Sequence, residues 1–461
     1  MTPTLAALAG YLVLQFAIGA VIARRLRSED DYLVAGRSTR RSSDLFPIFA
    51  TWFGAETVIG AAGTVYSEGV GATSAEPFGY ALCLVLMGLV FAAPLWRRGL
   101  TTLADLYEQR YSSTVARLAA VVLIPGSLLW AAAQVRAFGE VLTVASPDVD
   151  LALGVGIAAL LTVAYTSLGG MLADAITDLV QGGVLVLSLV VLVVAVASDA
   201  GGMSALVTLA RDAHAARPPT PPVGWLALAE TWAIPVCGSV VATELVTRVI
   251  STRSVRVARG SALLAGVGYL LVGCIPVLLG LAGPLLLPDL AQSEQLLPAL
   301  ASRHLPGLLF VLFAGGLVSA ILSTVDTTLL TAGGLLTHNL IAPLAGVERE
   351  RDRLRLARAG VVACGVVAWL IARSADGVFA LVQEASSFGT AGSLVTVCFG
   401  LFTRIGGPWA AGATLLGALA TYLLATLGGV ATPFLASLAS AVGLYLGVAL
   451  LEARRGAHAR A

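Results

Sequence analysis

The chain has 461 residues, of which 57% are hydrophobic and 12% are charged, and its formal net charge is +1 at pH 7. Soluble domains carry about 25% charged residues. A soluble protein of this composition would expose large apolar patches and aggregate. The composition therefore excludes a soluble globular enzyme, a disordered protein and a nucleic-acid-binding protein.

Apolar segments follow one another along the whole chain. A helix needs about 20 apolar residues to cross a bilayer, whereas a transmembrane barrel would show short alternating segments. The sequence therefore predicts an all-α polytopic membrane protein with about 13 transmembrane helices. The expected segments are 3–23, 45–70, 77–96, 118–145, 150–168, 173–198, 225–247, 260–287, 307–338, 357–373, 377–402, 406–428 and 431–452.

Arginine supplies all 28 basic residues other than histidine, and it is distributed unevenly between the loops. The loops after segments one, three, seven, nine and eleven and the C-terminal tail hold most of it. Cytoplasmic loops of membrane proteins carry such an excess. We therefore expect a multi-pass protein of the plasma (inner) membrane with its N-terminus outside and its C-terminus cytoplasmic. The first segment runs directly into Arg24 and Arg25, which favours a membrane helix over a cleaved signal peptide.

The second segment, 45–70, combines helix breakers with an acid. Pro47, Gly54 and Gly60 surround Glu56. An acid inside a membrane segment is costly, so Glu56 is a functional candidate. The pattern favours a broken helix, whose free carbonyls can coordinate Na⁺. The alternative is a continuous, kinked helix in which glycine allows close packing.

The ninth segment, 307–338, carries a dense set of hydroxyl groups. Asp326 lies beside them, three residues after Ser323. Hydroxyl and carboxylate oxygens are hard ligands that suit a small alkali cation. The alternative is structural, with each hydroxyl bonded to a carbonyl of the preceding turn or bridging two helices. The residues spaced i, i+3, i+4 and i+7, which share one helix face, are Ala320, Ser323, Thr324 and Thr327.

The fourth segment, 118–145, contains two polar pairs with i, i+4 spacing. Arg136 and Glu140 are expected to form a partly buried structural ion pair. Trp130 and Gln134 lie on a different face and are candidates for the lining of a substrate cavity. Further acids within predicted segments, and hence site candidates, are Asp178, Glu244 and Glu384.

Four motifs, in order along the chain, resemble those of the sodium:solute symporter family. They are DYLVAGRS at 31–38, YTSLGG and TDLVQ within 165–181, STVDT at 323–327, and QE with GLFTR within 383–404. The resemblance covers roughly residues 30–430. It implies a LeuT-like, five-plus-five inverted repeat with discontinuous helices in a single transporter domain, 1–461. The parts of this domain would be a first helix and cytoplasmic loop (1–44), two repeats (45–198 and 225–403) and two extra helices with a cytoplasmic tail (404–461).

The resemblance also implies a site for the coupling ion, Na⁺. Asp178 lies close to the sodium site in relatives. Asp326 and Thr327 are candidates for a second cation position beside it. The residues expected to form the main site are Ala50, Phe53 and Ala320, through their carbonyls, and Ser323 and Thr324, through their hydroxyls.

Stretches 50–54, 60–66 and 77–80 look most like the choline-transporter branch of the family. Trp52 and Trp130 fall where that branch has aromatic residues, and an aromatic cage with a nearby acid favours an ammonium group. Glu56 and Glu244 would supply the negative charge. Segment seven departs from that branch, so an amino acid such as proline, or another small amine, is equally allowed. Gln383 falls where sugar-carrying relatives contact substrate.

These features predict a secondary active transporter, not an enzyme, that couples Na⁺ flow to uptake of a small organic solute by alternating access. Its expected partners are this solute, Na⁺ and the lipid bilayer, with no nucleic acid. Proton coupling through Glu56, Asp178 or Asp326 stays open. So does Na⁺-coupled uptake of a sugar or carboxylate. A channel or a sensor is disfavoured, since no pore ring or signalling domain is recognisable.

Overall fold

The structure, a computed structural model, describes residues 28–34, 47–54, 56–145, 148–218 and 223–458, with positions 10, 13, 17 and 21 as isolated points. All regular secondary structure in these residues is helical. The helices of the first half are α1 (Glu29–Val34), α2 (Pro47–Trp52), α3 (Ala62–Glu68), α4 (Phe78–Leu86), α5 (Ala92–Arg97), α6 (Leu103–Arg110), α7 (Ser113–Ala145), α8 (Leu151–Asp199) and α9 (Met203–Ala215).

The helices of the second half are α10 (Trp225–Ala233), α11 (Thr243–Ile250), α12 (Val255–Leu286), α13 (Leu296–His304), α14 (Gly307–Gly334), α15 (Ala342–Ala345), α16 (Glu350–Ser374), α17 (Val378–Ser387), α18 (Thr390–Phe402), α19 (Pro408–Leu427) and α20 (Pro433–His458). Four π-helical turns connect or extend them, at Glu56–Ala61, Met87–Phe91, Ile234–Gly238 and Leu335–Ile341, and a 3₁₀ turn covers Ser293–Gln295.

Within the described residues, ten helical segments are long and apolar enough to cross a membrane. The pair α17–α18, bent by 41°, makes eleven if it counts as one span. The predicted segment 3–23 lies outside the described residues, apart from isolated positions. Segment 45–70 is present as the interrupted run α2–α3 rather than as one long helix. The total of thirteen therefore stays a prediction.

The predicted break in segment 45–70 is confirmed. Helix α2 ends at Trp52, residues 53 and 54 are non-helical, and a π-helical turn leads into α3. A Cβ at position 54 would lie 2.7 Å from Glu56 Oε2 and 2.8 Å from Thr324 Oγ1, so glycine allows these side chains to approach the backbone closely. The break therefore brings this stretch of backbone against α14.

A second break, which the sequence analysis did not single out, lies in segment 225–247. Helix α10 passes into a π-helical turn, and residues 239–242 are non-helical before α11 begins. Pro235 removes one backbone donor from this turn. A Cβ at Gly238 would collide with the carbonyl oxygen of Ser386. The break is thus packed against the junction of α17 and α18.

Predicted segments 150–168 and 173–198 both lie in α8, which changes direction at Gly170. The φ of Gly170 is +62°, a value that glycine adopts far more readily than other residues. A Cβ there would lie 2.5 Å from Tyr32 Cδ2. The Tyr32 hydroxyl donates a hydrogen bond to the Thr166 carbonyl, at 3.0 Å. Helix α1 is therefore anchored at the bend of α8.

Helix α14 forms the centre of the molecule. All of its residues from Phe313 to Gly334 are buried, and it packs against α7, α8, α16 and the short helix α2. Helices α19 and α20 pair with each other at the periphery and expose leucines such as Leu424 and Leu450. Because α14 is enclosed by protein, its hydroxyl and carboxyl groups need partners from neighbouring helices.

Candidate functional site

We call Ser323, Thr324 and Thr327 the hydroxyl stripe of α14. Of these three residues, Thr324 faces the break after α2. Thr324 Oγ1 lies 2.8 Å from the Thr51 carbonyl and 3.1 Å from the Ala320 carbonyl, and it donates to them. Ala50 and Phe53, on either side of Thr51, are buried. The residues expected to form the sodium site are therefore held on two elements in contact, α2 with its break and α14.

Ser323 turns toward a different neighbour, α8. Its hydroxyl donates to Asp178 Oδ1 at 2.5 Å. One turn later on α14, the Thr327 hydroxyl donates to Asp174 Oδ2 at 2.9 Å. The structure thus brings Asp178 next to the hydroxyl stripe, as expected from the sequence, and adds Asp174 to the same group.

A buried arginine neutralises part of this group. Arg248 Nη2, from α11, lies 2.6 Å from Asp174 Oδ2 and 2.7 Å from Asp178 Oδ2. Asp326 accepts a hydrogen bond from the Thr166 hydroxyl of α8. We call Asp174, Asp178, Asp326 and Arg248 the aspartate cluster. It holds three carboxyl groups against one guanidinium, so a further cation would improve its charge balance.

Three aromatic rings pack together beside the break. The ring centroids are separated by 5.1 Å for Trp52 and Trp130, by 6.3 Å for Trp52 and Tyr80, and by 6.1 Å for Tyr80 and Trp130. These separations are typical of interacting aromatic pairs. We call the three residues the aromatic cluster. Faces of such rings attract organic cations.

Glu56 begins the π-helical turn that follows the break, and it contacts Gln134 of α7. Its Oε1 accepts a hydrogen bond from the Gly54 amide and its Oε2 accepts one from Gln134 Nε2, both at 3.0 Å. Gln134 lies one turn after Trp130 on α7. The predicted substrate residues of segments two and four therefore form one buried group that adjoins Thr324 across Gly54.

Glu244 lines a separate cavity of about 20 Å³. It stands in the first turn of α11, where the helix dipole favours a negative charge. Ser127 donates a hydrogen bond to its carboxyl group. Trp130 lines the same cavity, so this ring connects Glu244 with the aromatic cluster.

Gln383 is exposed and lines another cavity, together with Glu76 and Tyr80. The helix that carries it, α17, is held at its start by Glu294, whose Oε1 accepts the Val378 amide at 2.9 Å. Burial raises the pKa of Glu294, although hydrogen bonds from backbone amides of α17 oppose this. Because Gln383 and Tyr80 line the same cavity, Gln383 is linked to the aromatic cluster through Tyr80.

Sequence reasoning did not select Asp174, Arg248, Tyr80 or Glu76. Asp174 precedes Asp178 by four residues, so its place on the same helix face was readable. Arg248 follows the seventh predicted segment and counted among the loop arginines, yet it is buried. That burial, and the hydrogen bond from Tyr269 to Glu76, depend on contacts between distant parts of the chain.

Comparison with known proteins agrees with this geometry. The family model described as "Sodium:solute symporter family" matches residues 32–429. The chain belongs to the sodium:solute symporter family. The human high affinity choline transporter 1 is 28% identical over 326 residues, which cover 67% of this chain and 55% of the transporter. The match thus spans about half the length of that relative.

Two further relatives align over more of the chain. The human sodium-coupled monocarboxylate transporter 1 is 26% identical, with 96% of this chain and 71% of the relative covered. The uncharacterized symporter YidK of Escherichia coli (strain K12) is 26% identical, with 71% and 60% covered. The family and these relatives are transporters, so the expectation of a non-enzymatic, multi-pass membrane protein is confirmed.

Solved structures share the fold. A Na⁺-coupled sialic acid symporter in a substrate-bound, outward-open state has a TM-score of 0.83 at 17% identity, covering 98% of both chains. Mhp1, a nucleobase-cation-symport-1 family transporter, has a TM-score of 0.59 at 16% identity, covering 90% of this chain and 92% of Mhp1. The predicted LeuT-like, all-α fold is confirmed.

Proposed function

We propose that the protein is a secondary active transporter that couples Na⁺ to the uptake of a small organic ammonium compound. One observation carries this proposal. The break after α2 adjoins both the hydroxyl stripe of α14 and the aromatic cluster, because Trp52 is the last residue of α2 and Thr324 bonds to the residue before it. Ion and substrate would thus act on the same few residues.

The oxygen atoms at the break support Na⁺ as the coupling ion. Carbonyl and hydroxyl oxygens are hard, neutral ligands that suit an alkali cation. We assign Na⁺ to the carbonyls of Ala50, Phe53 and Ala320 with the hydroxyls of Ser323 and Thr324. We assign a second cation position to Asp178, Asp326 and Thr327, where carboxyl groups outnumber the guanidinium of Arg248.

The residues around the aromatic cluster support an organic cation as substrate. Ring faces and a nearby carboxyl group bind ammonium compounds, from amines to quaternary ammonium ions. The acids at the cluster are Glu56 and Glu244, and their charge disfavours a carboxylate substrate. A sugar would need several hydrogen-bonding side chains at the aromatic cluster. Gln383, the candidate for such a contact, lines a separate cavity with Glu76 and Tyr80.

Alternating access follows from the two broken helices. We propose that residues 45–198 and 225–403 are the two repeats and that they rock against each other around the α2 and α10–α11 breaks. We propose that the transporter lies in the plasma (inner) membrane with its N-terminus outside and its C-terminus cytoplasmic, as the arginine distribution predicts. Because both ligands contact the α2 break, each is expected to tighten binding of the other.

The test is the thermal stability of the purified protein in NaCl and in KCl at equal ionic strength. A ligand that binds the native state at 100 times its Kd stabilises it by about 2.7 kcal/mol. We expect a Na⁺-specific rise in Tm for the wild type and for Thr324→Ser, and its loss in Thr324→Ala. Choline should raise the Tm further in NaCl, and its uncharged isostere 3,3-dimethylbutan-1-ol should not.

A wild-type Tm that responds equally to NaCl and KCl would contradict sodium coupling. Proton coupling would then be the alternative, and the aspartate cluster favours it because buried carboxyl groups can carry protons. Uptake of choline into proteoliposomes with and without Na⁺ at fixed pH separates the two. A Tm that rises with proline or a sugar but not with choline would overturn the ammonium assignment.

A further inference from the structure

The aromatic cluster adjoins a second cavity, of about 50 Å³. In the predicted topology this cavity lies on the opposite side of the cluster from Glu244. Glu76, Tyr80 and Gln383 line it, whereas Trp130 lines the cavity of Glu244. The two cavities thus adjoin different rings of the same cluster. The arginine distribution puts the loop that carries Glu76 outside and the end of segment seven, with Glu244, inside.

Glu76 is only partly satisfied by the protein. Its Oε1 accepts hydrogen bonds from the Thr57 hydroxyl at 2.7 Å and the Tyr269 hydroxyl at 3.0 Å. Its Oε2 is buried and has no hydrogen-bond partner among the described residues. Glu76 is buried, with a relative exposure of 8%. A buried carboxyl oxygen without a partner is costly, so this oxygen is expected to bind a water molecule or a ligand.

The surroundings of Glu76 carry no compensating charge. Among the described residues that line this cavity, none is arginine or histidine. A water molecule needs roughly 10–15 Å³ of such space, so the cavity has room for a few waters or one small ammonium head group. A positive ligand would supply the missing partner for Oε2.

We propose that this cavity is an outer subsite for the ammonium group of the substrate, with Glu76 as its counter-charge. This inference rests on the proposed function and extends it to a second binding position. Tyr80 lines the cavity and also contacts both tryptophans of the aromatic cluster. A cation leaving Glu76 therefore passes along the Tyr80 ring to Trp52 without losing contact with an aromatic face.

The subsite is connected to the sodium site through the backbone. Thr57, which donates to Glu76, directly follows Glu56 in the π-helical turn. Glu56 in turn accepts the Gly54 amide at the break. Occupation of the Glu76 subsite would therefore act on the turn that shapes the break. The charge of Glu76 would make it a specificity-determining residue of the transport path.

The experiment measures choline transport in proteoliposomes for the wild type, Glu76→Gln, Glu76→Asp and Glu68→Gln. Glutamine keeps an oxygen for Thr57 and Tyr269 but removes the charge. Glu68 is an exposed acid on the same predicted side and serves as the matched control. Losing one partner of a buried charge pair costs 2 kcal/mol or more, so Glu76→Gln should raise the KM for external choline about 30-fold.

Charge selectivity separates a binding role from a structural one. Inhibition by 3,3-dimethylbutan-1-ol should change less than about twofold in Glu76→Gln, because this isostere makes no ionic contact. Glu76→Asp should recover most of the preference for choline. The Na⁺-induced rise in Tm should persist in all variants, which shows that the fold and the sodium site are intact.

Two results overturn the inference and leave the proposed function standing. An equal loss of affinity for choline and its isostere in Glu76→Gln would make Glu76 a structural residue. A KM for choline in Glu76→Gln equal to that in Glu68→Gln would contradict the subsite. Na⁺-dependent choline transport by the wild type would in that case leave the proposed function standing. Absence of ammonium transport by the wild type would instead overturn the proposed function and this inference with it.

Discussion

Arg248 shows how one side chain sets the charge of a buried region. Its guanidinium bridges Asp174 and Asp178 within α8, at 2.6 and 2.7 Å, and Asp326 lies in the same cluster. Pairing of this kind adds little net stability, yet removing one partner leaves an uncompensated buried charge. The guanidinium therefore stabilises the cluster when no other cation is bound.

We predict that Arg248→Gln lowers the free energy of unfolding by about 3–5 kcal/mol in the absence of Na⁺, the cost of breaking a buried pair. Denaturation of the purified protein in KCl measures this. Adding Asp174→Asn to Arg248→Gln should restore part of the loss, because one carboxyl group is then neutral. Arg256→Gln, at an exposed arginine of the same region, is the control. Equal stability of the Arg248 and Arg256 variants would contradict the prediction.

The broken run from α2 to α3 is the element on which the proposed site depends. Three side-chain oxygens lie close to Gly54, since a Cβ there would be 2.7 Å from Glu56 Oε2, 2.8 Å from Thr324 Oγ1 and 3.1 Å from Gln134 Oε1. These groups come from the run itself, from α14 and from α7. The break is therefore held by packing as well as by its own sequence.

We predict that Gly54→Ala weakens Na⁺ binding at least tenfold, about 1.4 kcal/mol, while the protein still folds. The added methyl group displaces Thr324 or Glu56, whose side chains can turn away more readily than backbone can shift. The Na⁺ concentration that gives half the maximal rise in Tm measures the effect. The control is Gly71→Ala, because no atom lies within 4 Å of a Cβ there. Unchanged Na⁺ affinity in Gly54→Ala would contradict a sodium site at the break.

Orientation in the bilayer is a property of the whole molecule. Two exposed acids report on it, Asp212 in α9 and Glu348 in the loop before α16. The arginine distribution predicts that Asp212 faces the outside and Glu348 the cytoplasm. The proposed direction of uptake depends on this orientation.

We predict that a membrane-impermeant maleimide labels Asp212→Cys in intact cells and labels Glu348→Cys only after the membrane is opened. Both variants are made in a cysteine-free background, which is also the unlabelled control. Labelling of Glu348→Cys but not of Asp212→Cys in intact cells would contradict the predicted orientation. It would also contradict the assignment of the Glu76 cavity to the outer side.

Much of the architecture is readable from the sequence. Composition excludes a soluble protein, and the length of the apolar runs specifies membrane-spanning helices. The break in segment 45–70 follows from Pro47, Gly54 and Gly60, which weaken local hydrogen bonding. Pro235 and Gly238 are helix breakers as well, but they predict the second break less clearly. Glycine is required at position 238 by its contact with Ser386, which the local sequence does not show.

Local sequence determined the membrane class, the broken second segment and the hydroxyl stripe of α14, because each depends on residues within a few turns of one another. Tertiary structure alone decided which polar groups meet. Thr324 bonds to Thr51 across 273 positions, and Gln134 bonds to Glu56 across 78. The same packing buries Arg248 and leaves Glu76 Oε2 without a hydrogen-bond partner among the residues that the structure describes. Burial and pairing arise when distant helices pack, and no short stretch of sequence contains that information.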